Sequence, residues 1–212
     1  LTLTQNTQPA ILTHSVALLA SLQNVLKEKG HKVSCVLGHS VGEYAALVAA
    51  GSLEFKDAVK MVHLRGKYMQ EACPAGVGSM HALLKVPEEI VRKACEIASN
   101  ENSKVMPANF NEPSQIVISG HADACLRAID WIKENHADPF RSVELKVSAP
   151  FHSSLMLPAA QNLKNELSKI TVHSPKTPYI ANIDAKSYGP ETSGEKVLSN
   201  LVSQVDGSVM WS

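Results

Sequence analysis

The chain lacks a charge excess of either sign: 20 Lys plus Arg against 20 Asp plus Glu leave a formal net charge of zero over 212 residues. A protein that holds nucleic acid through its phosphates needs a basic surplus, so general electrostatic nucleic-acid binding is excluded. Uninterrupted apolar runs are short, Ala45 to Gly51 being among the longest, whereas a membrane span needs ~18 residues. The sequence opens at Leu1 with no charged segment leading into an apolar core, so no targeting signal is read there, and a preceding segment stays compatible with it. The four cysteines, Cys35, Cys73, Cys95 and Cys125, form neither C-x-x-C nor a Cys/His ligand spacing. That pattern argues against a zinc site, and scattered thiols fit a reducing compartment better than a disulfide framework. Repeats and low-complexity tracts are absent too. What is present is ordinary globular material, 44% apolar and 19% charged, enough for one large domain or two small ones around a real core.

Residues 7–29 carry Ile11, Leu12, Val16, Leu19, Leu22 and Leu26 at helical spacing, and Gly30 ends that helix. Residues 32–37 read as a buried strand, 38–42 as a tight turn, and 43–50 and 55–72 as helices. Strand, turn and helix in this order indicate a parallel α/β sheet. The middle of the chain changes rhythm. Strands are expected at 79–86, 104–109, 115–119 and 140–147, with a loop over 110–114 and helices at 87–99 and 122–134. This βαββαβ order is the split, ferredoxin-like unit. Residues 78–148 are therefore read as a small subdomain inserted into a large α/β subdomain made of 1–77 and 149–212. A helix at 153–168, a strand at 178–183 and a helix at 194–204 complete the large part.

Gly38-His39-Ser40-Val41-Gly42 matches G-x-S-x-G, and a predicted strand precedes it and a helix follows it. A nucleophile elbow requires that context. Ser40 would project from the sheet top, with the amide of Val41 placed to stabilise an oxyanion. A glycine-bounded serine that merely caps a helix is the bland alternative. Nine histidines compete to be its base. His39 precedes Ser40 in the elbow, and a sharp turn points neighbouring side chains apart. His152 lies in a loop after a predicted strand, stiffened by Pro150, at the kind of sheet edge where an elbow also lies. The bland alternative is a helix-start histidine capped by Ser153. Asp184 follows the strand at 178–183 and would give the order Ser, His, Asp, whereas a standard hydrolase runs Ser, acid, His. A Ser–His pair oriented by a backbone carbonyl is the alternative. Arg65 sits among Met61, Leu64 and Tyr68 on one helix side. Among those apolar neighbours it needs an anionic partner, and the residues alone favour an internal Asp or Glu, or a side chain that snorkels to the surface.

Five blocks in order, GHSVGEYAAL (38–47), LRGKYMQEA (64–72), NFNEPSQIVISG (109–120), KVSAPFHSSLM (146–156) and ANIDA (181–185), resemble the malonyl-CoA:acyl-carrier-protein transacylase family over essentially the whole chain. The resemblance implies an α/β-hydrolase-like large subdomain with the inserted ferredoxin-like one. It implies Ser40 as acylated nucleophile, His152 as base, Val41 as oxyanion donor and the main-chain carbonyl of Gln204 as the group that orients the histidine. Arg65 becomes the holder of the malonyl carboxylate, reversing the reading above. Phe151, Asn109 and Asn111 are implied substrate contacts. No cofactor or metal is implied, since malonyl-CoA and phosphopantetheine enter as substrates. The implied partner is an acyl carrier protein, with neither nucleic acid nor membrane, and the implied setting is a monomer in bacterial cytoplasm, or a mitochondrion or plastid in a eukaryote. An acyltransferase domain of a polyketide or multifunctional fatty acid synthase is the close rival. A serine hydrolase and a non-catalytic carrier-binding module are remoter ones. The family's G-Q-G-[SA]-Q loop, implied source of a second oxyanion donor, and its closing E-x-G-P have no counterpart, so the expectation is a large subdomain truncated at both ends, with function assigned to the parent protein.

Overall fold

The amphipathic pattern of the first thirty residues forms helix α1 (Thr4–Glu28). Gly30, at φ 69°, lets the chain close it: the amide of Gly30 donates to Lys27 and that of His31 to Leu26, at 3.1 and 2.9 Å. This paired pattern satisfies carbonyls that a helix end would otherwise strand. By length and composition alone α1 could also cross a membrane. The count of uninterrupted apolar runs missed this because His14, Ser15 and Ser21 break its apolar residues.

The computed structural model describes residues 3–212, and these group into two compact units. One runs to Tyr68 and resumes over Asn162–Val202; the other comprises Met69–Gln161 and Ser203–Ser212. The sequence-based division instead places its borders at 77/78 and 148/149.

The first unit contains α1, α2 (Gly42–Ala49), most of α3 (Phe55–Glu71) and the larger share of α6 (Leu157–Leu167) and α7 (Gly194–Asp206). Its core includes Leu12, Tyr44, Leu47, Met61 and Tyr179, all essentially inaccessible. The expected strands at 32–37 and 178–183 are much reduced. They meet in one parallel bridge, Val36 with Tyr179, and β5 (Tyr179–Ile180) pairs antiparallel with β6 (Ser187–Tyr188). Val33 and Leu37 are exposed, so the first run is not the doubly buried strand its apolar pattern suggests. Past Ile180 the backbone turns, the Ala185 amide bonding the Ala181 carbonyl with Ala185 at φ 54°.

The second unit contains β1 (Gly78–Leu84), α4 (Glu88–Ala98), β2 (Val105–Glu112), β3 (Gln115–His121), α5 (Ala122–Asn135), β4 (Arg141–Glu144) and β7 (Val209–Met210). The sheet order is β4-β1-β3-β2-β7, antiparallel except for the parallel β2–β7 pair. Its first four strands with α4 and α5 are the predicted βαββαβ unit, and the fold is mixed α/β. Alternation decides the two faces. Leu83, Ile116 and Ile118 join Ala94, Cys125 and Ile129 of the helices, while Met80, Ala82 and Val117 face the opposite way.

Three details differ from the sequence reading. The loop expected at 110–114 is a two-residue connection, because β2 continues through register shifts to pair Glu112 with Gln115. β4 ends early: Leu145 still bonds Met80, but the amide of Val147 folds back onto the Leu145 carbonyl. β7 has no counterpart in the sequence reading, since two residues carry no readable period and their pairing depends on β2, about a hundred residues earlier.

Candidate active site

The G-x-S-x-G motif forms a sharp elbow between the Val36 bridge and α2. A Cβ on Gly38 would collide with the carbonyl of Gly42, so only glycine permits the closure. Ser40 sits at φ 51°, in the left-handed region. For a residue with a side chain that costs on the order of 1–3 kcal/mol and persists only when the surroundings over-determine it. The first bonds of the helix supply part of the restraint: Gly42 donates to His39, Glu43 to Ser40 and Tyr44 to Val41. Asn182 supplies more. Its Oδ1 accepts the Ser40 amide at 2.6 Å, its Nδ2 donates to the Gly38 carbonyl at 2.9 Å, and its own amide donates to Glu43 Oε2 at 3.2 Å. The Val41 amide, at the N-terminus of α2, donates to no group among the described residues. It is thus an open donor at the positive end of a helix.

Arg65 reaches this elbow because α1 and α3 approach closely. A Cβ on Gly66 would lie 2.6 Å from the Gln5 Cα. Pro9 has no amide to offer the Gln5 carbonyl within α1, and His63 Nδ1 donates to that carbonyl instead, at 2.9 Å. Two residues after His63, Arg65 donates through one guanidinium nitrogen to Gln8 Oε1 at 2.7 Å and through another to Ser40 Oγ at 3.0 Å. Gln8 is held in turn by the Thr4 hydroxyl at 2.9 Å. Arg65 is 2% exposed, with its guanidinium carbon 5.9 Å from the centre of the Tyr44 ring. Burial pushes its pKa down and the nearby Tyr44 and Glu43 push it up. The group stays a cation, since guanidinium does not deprotonate in proteins. Burial also holds the Tyr44 phenol neutral, with its pKa raised.

Within the second unit, His152 is 3% exposed and also left-handed, at φ 55°. Its Nδ1 lies 2.8 Å from the carbonyl of buried Gln204. A carbonyl only accepts, so Nδ1 carries the proton and Nε2 is left as the basic nitrogen. The loop is tied locally: Ser153 Oγ donates to the Pro150 carbonyl at 2.7 Å, and the Phe151 amide to Ala149 at 3.0 Å. Ser153 therefore braces the loop rather than the histidine ring. Phe151 packs on Met80, Ala82, Ala108 and Val117. Asn109 is buried on β2 opposite Val117. Asn111 Nδ2 donates to Gln115 Oε1 at 3.1 Å across the hairpin.

So the structure brings Ser40, Val41 and Arg65 together in one unit and His152 and Gln204 together in the other, with Phe151 beside His152 in sequence. Asp184 is committed locally, accepting the Tyr188 hydroxyl at 2.6 Å and the Lys186 amide at 3.1 Å. Sequence reasoning missed Gln8, Glu43 and Asn182. The one available signal was Gln8-Pro9, a polar residue before a helix-interior proline. The thiols are no rival nucleophiles where they are deepest: burial pushes Cys95 up to about 12 and Cys125 to about 11, far from thiolate at neutral pH. Among the described residues no cluster of three or more His, Cys, Asp or Glu could hold a metal. A buried cation on a serine hydroxyl, beside an open amide at a helix end, can bind and activate an acyl group that carries its own negative charge.

Comparison with known proteins adds to this geometry. The acyl transferase domain family matches residues 1–207. The malonyl CoA-acyl carrier protein transacylase of Escherichia coli strain K12 is 45% identical over 209 residues, covering 98% of this chain and 64% of that protein. The protein of the same name from Bacillus subtilis is 44% identical over 206 residues, covering 97% of this chain and 63% of that one. Among solved structures, an acyl carrier protein S-malonyltransferase from Vibrio cholerae superimposes with a TM-score of 0.88 at 41% identity, over 99% of this chain and 65% of that one. A malonyl-transacylase in complex with its type II PKS acyl-carrier protein gives 0.87 at 42% identity, over 99% and 65%. The chain thus spans 64% of the length of the E. coli relative.

Proposed function

The chain belongs to the acyl transferase domain family, and from that membership we propose that its parent protein transfers a malonyl group from malonyl-CoA to the phosphopantetheine thiol of an acyl carrier protein. The observation that carries this reading is the buried guanidinium of Arg65 on Ser40 Oγ. In a malonyl ester the free carboxylate stands one methylene from the carbonyl carbon. A cation beside the nucleophile is therefore within reach of that carboxylate and offers it a two-pronged, charge-assisted pair. Acetyl and longer acyl groups have nothing to put there.

The proposed chemistry is ping-pong. His152 Nε2 takes the Ser40 proton as Oγ attacks the thioester carbon. The negative oxygen that develops is stabilised by the Val41 amide. The C–S bond breaks, CoA leaves with a proton, and malonyl-serine remains. The carrier thiol then gives its proton to His152 and attacks the ester, and Ser40 Oγ leaves and is reprotonated. Gln204 fixes the histidine tautomer through its carbonyl, and Phe151, Asn109 and Asn111 are proposed substrate contacts. No cofactor takes part in this scheme. The names of the bacterial relatives support a carrier-protein partner, and the proposed setting is a monomer in bacterial cytoplasm.

Intact mass of the full-length protein after malonyl-CoA tests the reading. One malonyl group should appear and map to Ser40, and Ser40→Ala should gain none. Label on a cysteine, or equal labelling of the variant, overturns it.

A further inference from the structure

The elbow is built on a parallel ladder that stops too soon. Val36 and Tyr179 pair as neighbouring parallel strands do, the Val36 amide donating to Pro178 and the Ile180 amide to Val36. His39 and Asn182 stand three residues further along both segments, in the same register. In a parallel ladder the residue opposite His39 would bond the carbonyl before it and the amide after it. Those groups belong to Gly38 and Ser40, and the side-chain amide of Asn182 bonds both. The carboxamide thus substitutes for a peptide group where the second segment has already turned away.

We infer that Asn182 is a positioning residue for the nucleophile, holding Ser40 in its left-handed conformation by continuing the ladder with its side chain, and that Glu43 backs it by accepting its main-chain amide. The inference rests on Ser40 being the nucleophile proposed above. Asn182 is 2% exposed and Glu43 wholly buried, so no water replaces these bonds cheaply. An amide is also the right group: it has a donor and an acceptor on one rigid plane, as a peptide does. By accepting the Ser40 amide, Asn182 takes that N–H out of the oxyanion site and leaves the Val41 amide as the elbow's open donor. Asn182 bonds the peptide groups on either side of the Ser40 turn, the Gly38 carbonyl and the Ser40 amide. Its effect runs through the direction of the Ser40 Cα–Cβ bond, and a displacement of about 1 Å at a reacting atom costs on the order of 10²-fold in rate.

The test uses the full-length protein with Asn182→Ala and Asn182→Asp, following pre-steady-state acylation by malonyl-CoA, KM and the titratable nucleophile fraction. Asn182→Ala should lower the acylation rate constant per titrated site by about 10- to 100-fold, with KM little changed, because the Arg65–Gln8 pair is untouched. Asn182→Asp keeps the acceptor for Ser40 and lacks the donor for Gly38 until its carboxyl is protonated. Its rate relative to wild type should therefore rise as pH falls, a trend that loss of packing would not produce. A folded Asn182→Ala with the wild-type rate per site overturns the inference. If that variant does not fold, a pH-independent ratio for Asn182→Asp overturns it instead. Ser40→Ala separates the two levels: labelling of that variant removes the nucleophile reading itself, whereas an inert Ser40→Ala beside an unimpaired Asn182→Ala removes only the role of Asn182.

Discussion

Ser40 and His152 share an unusual backbone, φ 51° and 55°, yet their units hold them by opposite means. Beyond the first bonds of its own helix, Ser40 is pinned by side chains from far along the chain: Asn182 on its peptide flanks and Arg65 on its hydroxyl. His152 is pinned by main-chain carbonyls, Gln204 on the ring and Pro150 on the neighbouring Ser153. The first arrangement is sensitive to single substitutions, because each bond vanishes with one side chain. The second tolerates substitution at Gln204, because every residue has a carbonyl, and needs the side chain of Ser153 alone for its other bond. The unit around Ser40 has little sheet and needs those side chains, whereas the unit around His152 has a five-stranded ladder to hang its loops on.

The largest effect should come from the imidazole itself. His152→Ala should slow acylation by about 10²–10⁴-fold, the usual contribution of a positioned base, while His39→Ala in a folded protein should change it far less; the reverse ranking in stopped-flow acylation would misplace the base. Next comes Arg65. Stranding one partner of a buried charge pair costs about 2–5 kcal/mol, so Arg65→Ala should lower malonyl kcat/KM by roughly 30-fold or more. Acetyl transfer should hold or rise, and Arg65→Lys should recover part of the loss. Equal loss with both substrates together with a lowered melting temperature would make Arg65 a fold residue. Gly66→Ala forces α1 and α3 apart, and overpacking of this kind costs about 1–3 kcal/mol. For a chain of this size a melting temperature lower by roughly 2–12 °C is expected, and scanning calorimetry showing no drop would mean that the helices part without cost.

Smaller effects sharpen the contrast. Asp184→Asn should leave the acylation rate nearly intact, since that carboxylate holds Tyr188 rather than a histidine; a rate falling as far as in His152→Ala would reinstate an acid. The smallest lies on the surface of the second unit. The hydroxyl of Ser103 and the guanidinium of Arg127 hold the Asp123 carboxyl down at about 2. A depressed carboxyl stabilises the fold above its unfolded pKa and ceases to as pH drops through its folded one. The slight loss of melting temperature in Asp123→Ala should therefore be present at pH 5 and shrink toward pH 2. A loss that does not change with pH would mean the carboxylate contributes nothing electrostatic.

The same contrast explains what could be read from the sequence. In the second unit, alternation along β1 and β3 is enough to assign both faces, because period two is a local property. In the first, G-x-S-x-G is legible because tight turns write themselves in glycine. Burial of Arg65 is legible from Met61, Leu64 and Tyr68; its partner Gln8 is not, standing 57 positions away. Asn182 hid behind Asp184: a search for chemistry stops at the titratable group, whereas the restraint on the elbow comes from a neutral amide two residues earlier. The strand lengths erred where a register shift prolonged the ladder, the main chain folded back on itself or a side chain replaced a peptide group, none of which leaves a periodic trace.

The sheet of the second unit narrows toward both rims. Its three inner strands have seven or eight residues, but β4 has four, with Arg141 and Glu144 at its ends, and β7 has two. A strand arriving from another molecule at the β4 rim finds four residues to pair with and a charge at either end. Short, charged rims are how sheets avoid growing into fibrils. The β4 rim is therefore a poor template for a strand from a second copy of the chain.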